Sequence, residues 1–464
     1  MPHPQPKDLT RRKLLQNTGS LAAASFLATS GLASVPHVGH DSTIQVALVG
    51  CGGRGSGAAL NALSIKRGPI QLVAMADVFE NRMQSSYEAL HASAADRMDV
   101  PEERRFIGFD AYRHAMDGLN PGDVVILATP PAFRWVHFRY AIEKGLNVFM
   151  EKPVTVDGPT SRRMLVLSEL ASAKKLKVGV GLMARHSRAF QELAQRIQDG
   201  EVGDIITQHG YRMQEPVASF RSLPRPEGKN ELHYQIERFH SFLWASGGAY
   251  NDFFIHIIDQ LCWMKGEWPL KAHALGGRHH RLGPDGVPYI DQNFDAYSVE
   301  YTYADGTKML FEGRNMSGCQ TKYSSFLHGT KGSAVVSSSG DYGLPSSLHK
   351  GYGLDRASMT WRSKVPDDLQ NPYQNEWDDL IDAIRDNVPY NEVTRGVFAS
   401  LVCNMGRMAA HTGTEITLED MLACEHEFAP GVGEMTDDSE APVQADAEGR
   451  YPVPQPGLVT DREY

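Results

Sequence analysis

The chain has 464 residues, of which 41% are hydrophobic and 22% charged, enough apolar material for a sizeable core and for two domains rather than one. The formal net charge of −10, with no long Lys/Arg block, argues against a nucleic-acid partner, because phosphate binding needs clustered cations; a small molecule is the expected ligand. The five cysteines, Cys51, Cys262, Cys319, Cys403 and Cys424, are scattered and free of CxxC spacing, so neither a disulfide framework nor a zinc site is indicated.

The segment TRRKLLQNTGSLAAASFLATSGLAS places Arg11 and Arg12 ahead of a modest apolar run and closes on the small-residue site Gly31-Leu32-Ala33. This order resembles a twin-arginine export signal, so residues 1–40 are expected to be a signal peptide and linker and the protein to be periplasmic. The apolar run is short and broken by polar residues, and no lipobox cysteine follows it, so no membrane anchor is expected. A cytoplasmic protein with a chance Arg-Arg pair is the alternative.

From Ile44 the elements alternate. IQVALVG, QLVAMADV, DVVILATPP, LNVFMEKP and KVGVGLM read as buried parallel strands, with Leu, Ala and Met at helical spacing between them. They predict a doubly wound α/β sheet, a Rossmann domain over residues 44–185. After Ser187 a helix runs through Gly200, and alternating runs follow, GDIITQHGYRM, FDAYSVEYTY and TKMLFEGRNM, with turn signals at Asp305-Gly306 and Lys331-Gly332. They predict an α+β domain over residues 186–430, built on a large, mostly antiparallel open sheet. Helices are expected from about Gln374 to Asn387 and around Val397 to Thr412. Residues 431–464, acidic and poor in large apolar side chains, are expected to be an extended or disordered tail.

Gly50, Gly52 and Gly55 form GxGxxG between the first strand and an Ala-rich helix, a spacing that lets backbone approach a pyrophosphate and points helix amides at it. The second strand ends in Asp77, 22 residues beyond Gly55, where a carboxylate would accept hydrogen bonds from the adenosine ribose. Asp77 would repel a 2′-phosphate, and Val78 and Phe79 supply no cation to offset it, which favours NAD over NADP; Arg82 is near enough to keep NADP open. A glycine turn needed only for strand–helix packing is the structural alternative.

Lys152, in the strand end Glu151-Lys152-Pro153, falls at the edge of the sheet where ligands bind, and Pro153 limits the conformation of the lysine before it. In GGAYNDFFIHIID, Asp252 and His256 are four apart and share a helix face. An imidazole suits the removal of a proton from a secondary alcohol as its carbon gives up hydride, since its pKa lies near working pH. Asp252 would orient it or bond the same hydroxyls. A buried polar pair and two ligands of a divalent metal are the alternatives; no third ligand is evident, so no metal is expected.

The glycine turn, ADVFENR, the Glu-Lys-Pro strand end and the Asp-x-x-x-His-x-x-Asp helix together resemble the glucose-fructose oxidoreductase, inositol dehydrogenase and MocA (Gfo/Idh/MocA) family, over about Ile44 to Leu422. LHGTKGS and NEWDDLIDAIRDNVPYNE resemble its second-domain strand and helix. The resemblance implies an NAD-dependent oxidoreductase acting on a CH-OH group of a sugar or polyol, with Lys152 touching both the nicotinamide ribose side and the substrate hydroxyl. Cofactor contacts are then expected at Gly50, Gly52, Gly53, Arg54, Gly55, Asp77, Thr129, Pro130, His137, Glu151 and Lys152. Catalysis is expected from Lys152, Asp252 and His256, and substrate contacts from these three and Arg185. Arg185 and His186 sit at a strand end where relatives often place an Arg followed by an aromatic residue; an ordinary surface pair is the alternative. His279 and His280 read as a polar loop. The family commonly has Asp-x-Gly-x-His, whereas Phe254 here replaces the small residue, so the identity of the sugar is not carried over. A homo-oligomer, dimer or tetramer, is expected through the open sheet.

The twin-arginine route carries proteins already folded around a cofactor, so such an enzyme would leave with NAD inserted and would have to restore it within each cycle. Oxidising one sugar while reducing another would do so, as would a redox-neutral glycosidase or lyase cycle of the same family. A plain sugar or polyol dehydrogenase that releases NADH ranks next. A sugar-binding protein without turnover is the alternative from a different class.

Overall fold

The computed structural model describes residues 39, 42–283, 285–340 and 345–464. The export segment with Arg11 and Arg12 lies outside the described residues.

The first domain runs β1 (Ile44–Val49), α1 (Gly53–Leu63), β2 (Ile70–Asp77), α2 (Glu80–Ala94), β3 (Arg105–Ile107), α3 (Ala111–Asp117), β4 (Val124–Leu127), α4 (Arg134–Lys144), β5 (Asn147–Met150), α5 (Gly158–Ala173) and β6 (Val178–Val180). The strands form a six-stranded parallel sheet in the order β3-β2-β1-β4-β5-β6, the doubly wound arrangement expected. Alternation along β1 explains how both faces are filled. Ile44, Val46 and Leu48 enter one apolar cluster with Ala58, Ala62 and Met83, while Ala47 and Val49 enter another with Ala115, Val136 and Phe138.

The second domain follows with α6 (Arg188–Gln198), β7 (Ile205–Gln214), α7 (Glu231–Glu237), α8 (Gly248–Lys265), β8 (Lys271–Gly277), β9 (Ala296–Thr302), β10 (Lys308–Asn315), β11 (Lys322–Gly329), β12 (Gly332–Ser337), β13 (Ser347–Lys350), β14 (Met359–Arg362), α9 (Pro372–Arg385), α10 (Val393–Thr412), β15 (Ile416–Thr417) and α11 (Leu418–Ala423). Nine strands make a sheet ordered β14-β13-β12-β11-β7-β10-β9-β8-β15, antiparallel throughout except for the parallel β7–β10 pair. One of its faces is covered by α8, whose residues are buried almost all round, as expected for a helix apolar on every side.

Two parts of the chain tie the domains together. Helix α9 returns to the first sheet, where Trp377 stacks on Phe149 at 4.5 Å and Leu380, Ile381 and Ile384 join the β1 cluster. The segment after Gly431 is laid along the second domain. Ala441, Val443 and Tyr451 are buried, Gln235 and Gln292 donate to the carbonyls of Val443 and Pro452, and Glu463 is enclosed in the core. Few as they are, the buried apolar side chains of this tail anchor it together with these carbonyls and Glu463.

Candidate active site

The C-terminal edge of the parallel sheet opens into a cleft of about 470 Å³ that continues between the domains to α8. Its floor is the turn after β1. Gly50 has a φ of +98°, and a Cβ there would stand 2.6 Å from backbone atoms of Ala128 and Thr129; at Gly55 a Cβ would fall 1.9 Å from the Gly50 carbonyl oxygen. Packing alone therefore requires these two glycines. Gly52 and Gly53 are different, because no atom lies within 4 Å of either Cβ position. They leave room above the first-turn amides of α1, as a pyrophosphate requires. Arg54 borders the same space. Its Nε donates to Glu151 Oε1 at 2.6 Å, its guanidinium lies 4.6 Å over the Tyr373 ring, and its Nη2 is buried without a hydrogen bond among the described residues. Room, free amides and an uncommitted guanidinium nitrogen fit a dinucleotide.

Asp77, at the end of β2, accepts from the Cys51 amide at 2.6 Å and from the Phe79 amide at 2.9 Å. Burial raises its carboxyl, and each oxygen retains acceptor capacity toward the cleft. Arg82 lies over the Phe79 ring and donates to the Glu237 carbonyl at 3.1 Å. Thr129, Pro130 and His137 line the next edge. Thr129 Oγ1 is 3.2 Å from His137 Nδ1, and His137, pushed down to about 3 by burial and by the charges of Arg134 and Arg113, is a neutral ring packed on Tyr112.

At the α8 end, Lys152, Asp252 and His256 all line the cleft. The Lys152–Pro153 peptide is cis. Lys152 Nζ donates to the Asp252 backbone carbonyl at 2.6 Å and to Asp252 Oδ1 at 3.2 Å. The other carboxylate oxygen, Oδ2, lies 3.3 Å from His240 Nε2. Burial alone would raise the Asp252 carboxyl, but the charge of Lys152 and the hydrogen bond and charge of His240 outweigh it and hold it well below the usual carboxylate range. Asp252 thus serves Lys152 and His240, where sequence spacing pointed to His256. His256 is pushed far down by burial and by the charges of Lys152 and Arg212, so its imidazole is neutral.

Two expectations take a different form. Arg185 is not among the residues lining the cleft; it makes a bidentate pair with Asp259 at 2.7 and 2.9 Å and lies over Trp263. A guanidinium so enclosed holds α8 to the strand end of β6, since a broken buried pair costs about 3–5 kcal/mol. Its neighbour His186 is likewise buried, between Asp379 at 2.7 Å and Glu392 at 3.3 Å. Phe254 faces the sheet, fully buried, with its ring filling the space over Gly313, where a Cβ would stand 2.4 Å from the ring. The bulky residue is therefore absorbed by a glycine on β10 and does not crowd the cleft.

Among the cleft residues that sequence reasoning did not find are Arg212 on β7, His240, Phe253 and Tyr373. Phe253 adjoins Asp252, but the other three come from segments that only the topology brings to the site. Among the described residues no group of three His, Cys, Asp or Glu side chains is arranged to hold a metal ion, and no helix is long and apolar enough to cross a membrane.

A family model for the oxidoreductase family with an NAD-binding Rossmann fold matches residues 44–182, and one for the GFO/IDH/MocA C-terminal domain matches residues 190–335. Inositol 2-dehydrogenase 1 of Paenarthrobacter aurescens (strain TC1) is 24% identical over 247 residues, 53% of this chain and 60% of that protein, so the match spans less than two thirds of the relative. The rhizopine catabolism protein MocA of Rhizobium meliloti is 24% identical over 326 residues, 68% of this chain and 84% of that protein. A levoglucosan dehydrogenase solved in complex with NADH and levoglucosan shares the fold, with a TM-score of 0.62 and 17% identity over 81% of this chain and 100% of that one. With its two domains matched over more than half its length, the chain belongs to the GFO/IDH/MocA oxidoreductase family and carries its NAD-binding Rossmann domain.

Proposed function

We propose that the protein is an NAD-dependent oxidoreductase that oxidises a secondary hydroxyl of a sugar or polyol. One observation carries this reading: Lys152, Asp252 and His256 converge on one end of a cleft whose other end is the glycine turn. NAD, when bound, supplies the acceptor for the hydride. The neutral His256 accepts the hydroxyl proton, and Lys152, held in place by Asp252, offers its charge to the oxygen on which negative charge develops. As that oxygen becomes anionic it offsets the Lys152 charge that depresses His256, so the base strengthens as the proton moves. The inositol and levoglucosan dehydrogenases among the similar proteins agree with a polyol or sugar substrate.

The Arg11–Arg12 segment supports export with NAD already inserted and recycled within the cycle, either by reducing a second sugar or by a redox-neutral elimination. A dehydrogenase that releases NADH is the second reading. The experiment is to purify the protein without added cofactor, denature it and quantify the dinucleotide set free. About one NAD or NADH per chain supports the recycling form; an empty protein that needs added NAD and accumulates NADH supports the plain dehydrogenase. A Lys152→Ala variant that leaves every turnover unchanged would overturn both in favour of a binding protein. The open sheet is the proposed site of self-association, to be checked by light scattering.

A further inference from the structure

Arg212 projects from β7 into the α8 end of the cleft, on the wall that carries Phe253 and His256. Its orientation is fixed by neutral groups. Nη1 donates to the Phe253 carbonyl at 2.6 Å and to the Tyr323 hydroxyl at 3.1 Å, Nε approaches Gln214 Oε1 at 3.3 Å, and the guanidinium lies 4.6 Å over the Tyr323 ring. Among the described residues no carboxylate lies within the 4 Å of an ion pair. Elsewhere in the chain Arg185, Arg221, Arg395 and Arg407 each have one, in Asp259, Asp295, Glu392 and Glu463, whereas the fully buried Arg134 is held by the backbone carbonyls of Leu127 and Thr129. Lys152 is balanced by Asp252 and Arg54 by Glu151, and the guanidinium of Arg134 is spent on those two carbonyls, so among the described residues Arg212 is the partly exposed cation at this end of the cleft that has no carboxylate partner. Its Nη2 makes no hydrogen bond among the described residues and is not enclosed by them.

A partly buried positive charge that faces a pocket without a counter-ion is best satisfied by a ligand that brings the opposite charge and covers it. From this geometry we infer that the substrate is an acidic sugar, whose carboxylate pairs with Arg212 while a hydroxyl lies between Lys152 and His256. The planar guanidinium fork matches a carboxylate, whereas a phosphate dianion would call for a second uncommitted cation. The inference rests on the reading of the cleft as a hydride-transfer site, and it adds a consequence. Arg212 helps to depress His256, so a carboxylate docked on it relieves that effect and makes the base stronger when this class of substrate is bound.

The test is equilibrium binding by calorimetry to the NAD-loaded full chain, with D-gluconate and D-glucuronate against D-glucose, myo-inositol and D-glucose 6-phosphate, in wild type and in Arg212→Met. The expected result is that at least one acid binds wild type about tenfold or more tightly than the neutral compounds and that R212M erases the difference. R212K, which keeps the charge without the fork, should retain part of it. An equal or greater affinity for the neutral compounds, an acid preference unchanged in R212M, or no binding of either acid would overturn the inference. Tightest binding of the phosphate would overturn the carboxylate. NADH formation, measured separately, distinguishes the two readings: acid binding through Arg212 without turnover sinks the dehydrogenase and leaves the anion site, while turnover of neutral polyols with no acid preference does the reverse. A thermal melt of R212M matching wild type shows that the variant is folded.

Discussion

Lys152 Nζ lies 2.6 Å from the backbone carbonyl of Asp252 and 3.2 Å from its carboxylate, so one residue of α8 fixes the lysine at the end of β5 by two contacts. The pair bridges the domains across 100 residues of sequence, and the two side chains are 13% and 10% exposed. Removing the charge of Asp252 leaves a nearly buried ammonium opposite a neutral amide. Asp252→Asn is expected to lower kcat/KM by about 100-fold or more, as befits loss of a positioned charge, and to destabilise the fold by about 3 kcal/mol. Urea melts and turnover would be read together; a variant that matches wild type in both would show the pair to be incidental.

The glycine turn separates packing from binding. A Cβ at Gly55 would meet the Gly50 carbonyl at 1.9 Å, so Gly55→Ala must move backbone and is expected to lower Tm by several degrees, the response to a loss of about 1–3 kcal/mol. At Gly52, whose φ of −72° any residue adopts, a Cβ meets nothing, so Gly52→Ala should melt like wild type yet bind NAD about tenfold more weakly or worse, the methyl standing where the pyrophosphate approaches. Tm and NAD titration of the two variants check this. Unchanged NAD affinity in Gly52→Ala would remove the phosphate from that position.

Asp77 bonds the amides of Cys51 and Phe79 and turns its remaining acceptor capacity to the cleft. Asp77→Asn keeps the shape, removes the charge that would repel a 2′-phosphate and turns one acceptor into a donor. NAD affinity should fall about tenfold and the preference for NAD over NADP should narrow. Dissociation constants for both dinucleotides measure it. A preference that stays as wide as in wild type would place discrimination elsewhere, with Arg82 the next residue to change.

What the sequence disclosed depended on whether the relevant contacts are local. Strand runs such as IQVALVG are buried on both faces and read directly, as does a glycine turn whose partners lie in the adjoining strand and helix. The Asp252–His256 spacing puts both side chains on one helix face, and both line the cleft, but the partners of Asp252 come from the end of β5 and from the loop before α8, which no periodicity links to it. Arg185 was misplaced for the same reason, since its partner Asp259 is 74 residues away. Short β3 carries three residues, too few to show a pattern, and the tail looked unanchored because its fixing points are single residues spread over the segment from Ala441 to Glu463.

Glu463 has the longest reach of these points. Its carboxylate accepts from Arg407 Nε and Nη2 at 2.8 Å each and lies 2.7 Å from His411 Nδ1, all within the core of α10. Arg407 in turn donates to the carbonyl of Gly247, immediately before α8, and to that of Val156, so the tail residue steadies the helix that carries Asp252 and His256. Burial would raise the Glu463 carboxyl, but the charge of Arg407 and the bonds from His411 and Arg407 outweigh it and bring it down to about 2. A carboxyl whose folded value lies below its unfolded value near 4.5 contributes stability that is present above the unfolded value and lost as pH falls toward the folded one. The contribution is about 3 kcal/mol at pH 7. Glu463→Gln should therefore be less stable than wild type by about that amount at pH 7, with the gap closing between about pH 4.5 and 2 as the wild-type carboxyl takes up its proton in the unfolded chain. It should also lower kcat more than it raises KM, because it loosens the placement of α8 without touching substrate. Urea melts at pH 7, 5, 4 and 3 follow the gap; a gap that does not change with pH would show that Glu463 acts through packing and not through its charge.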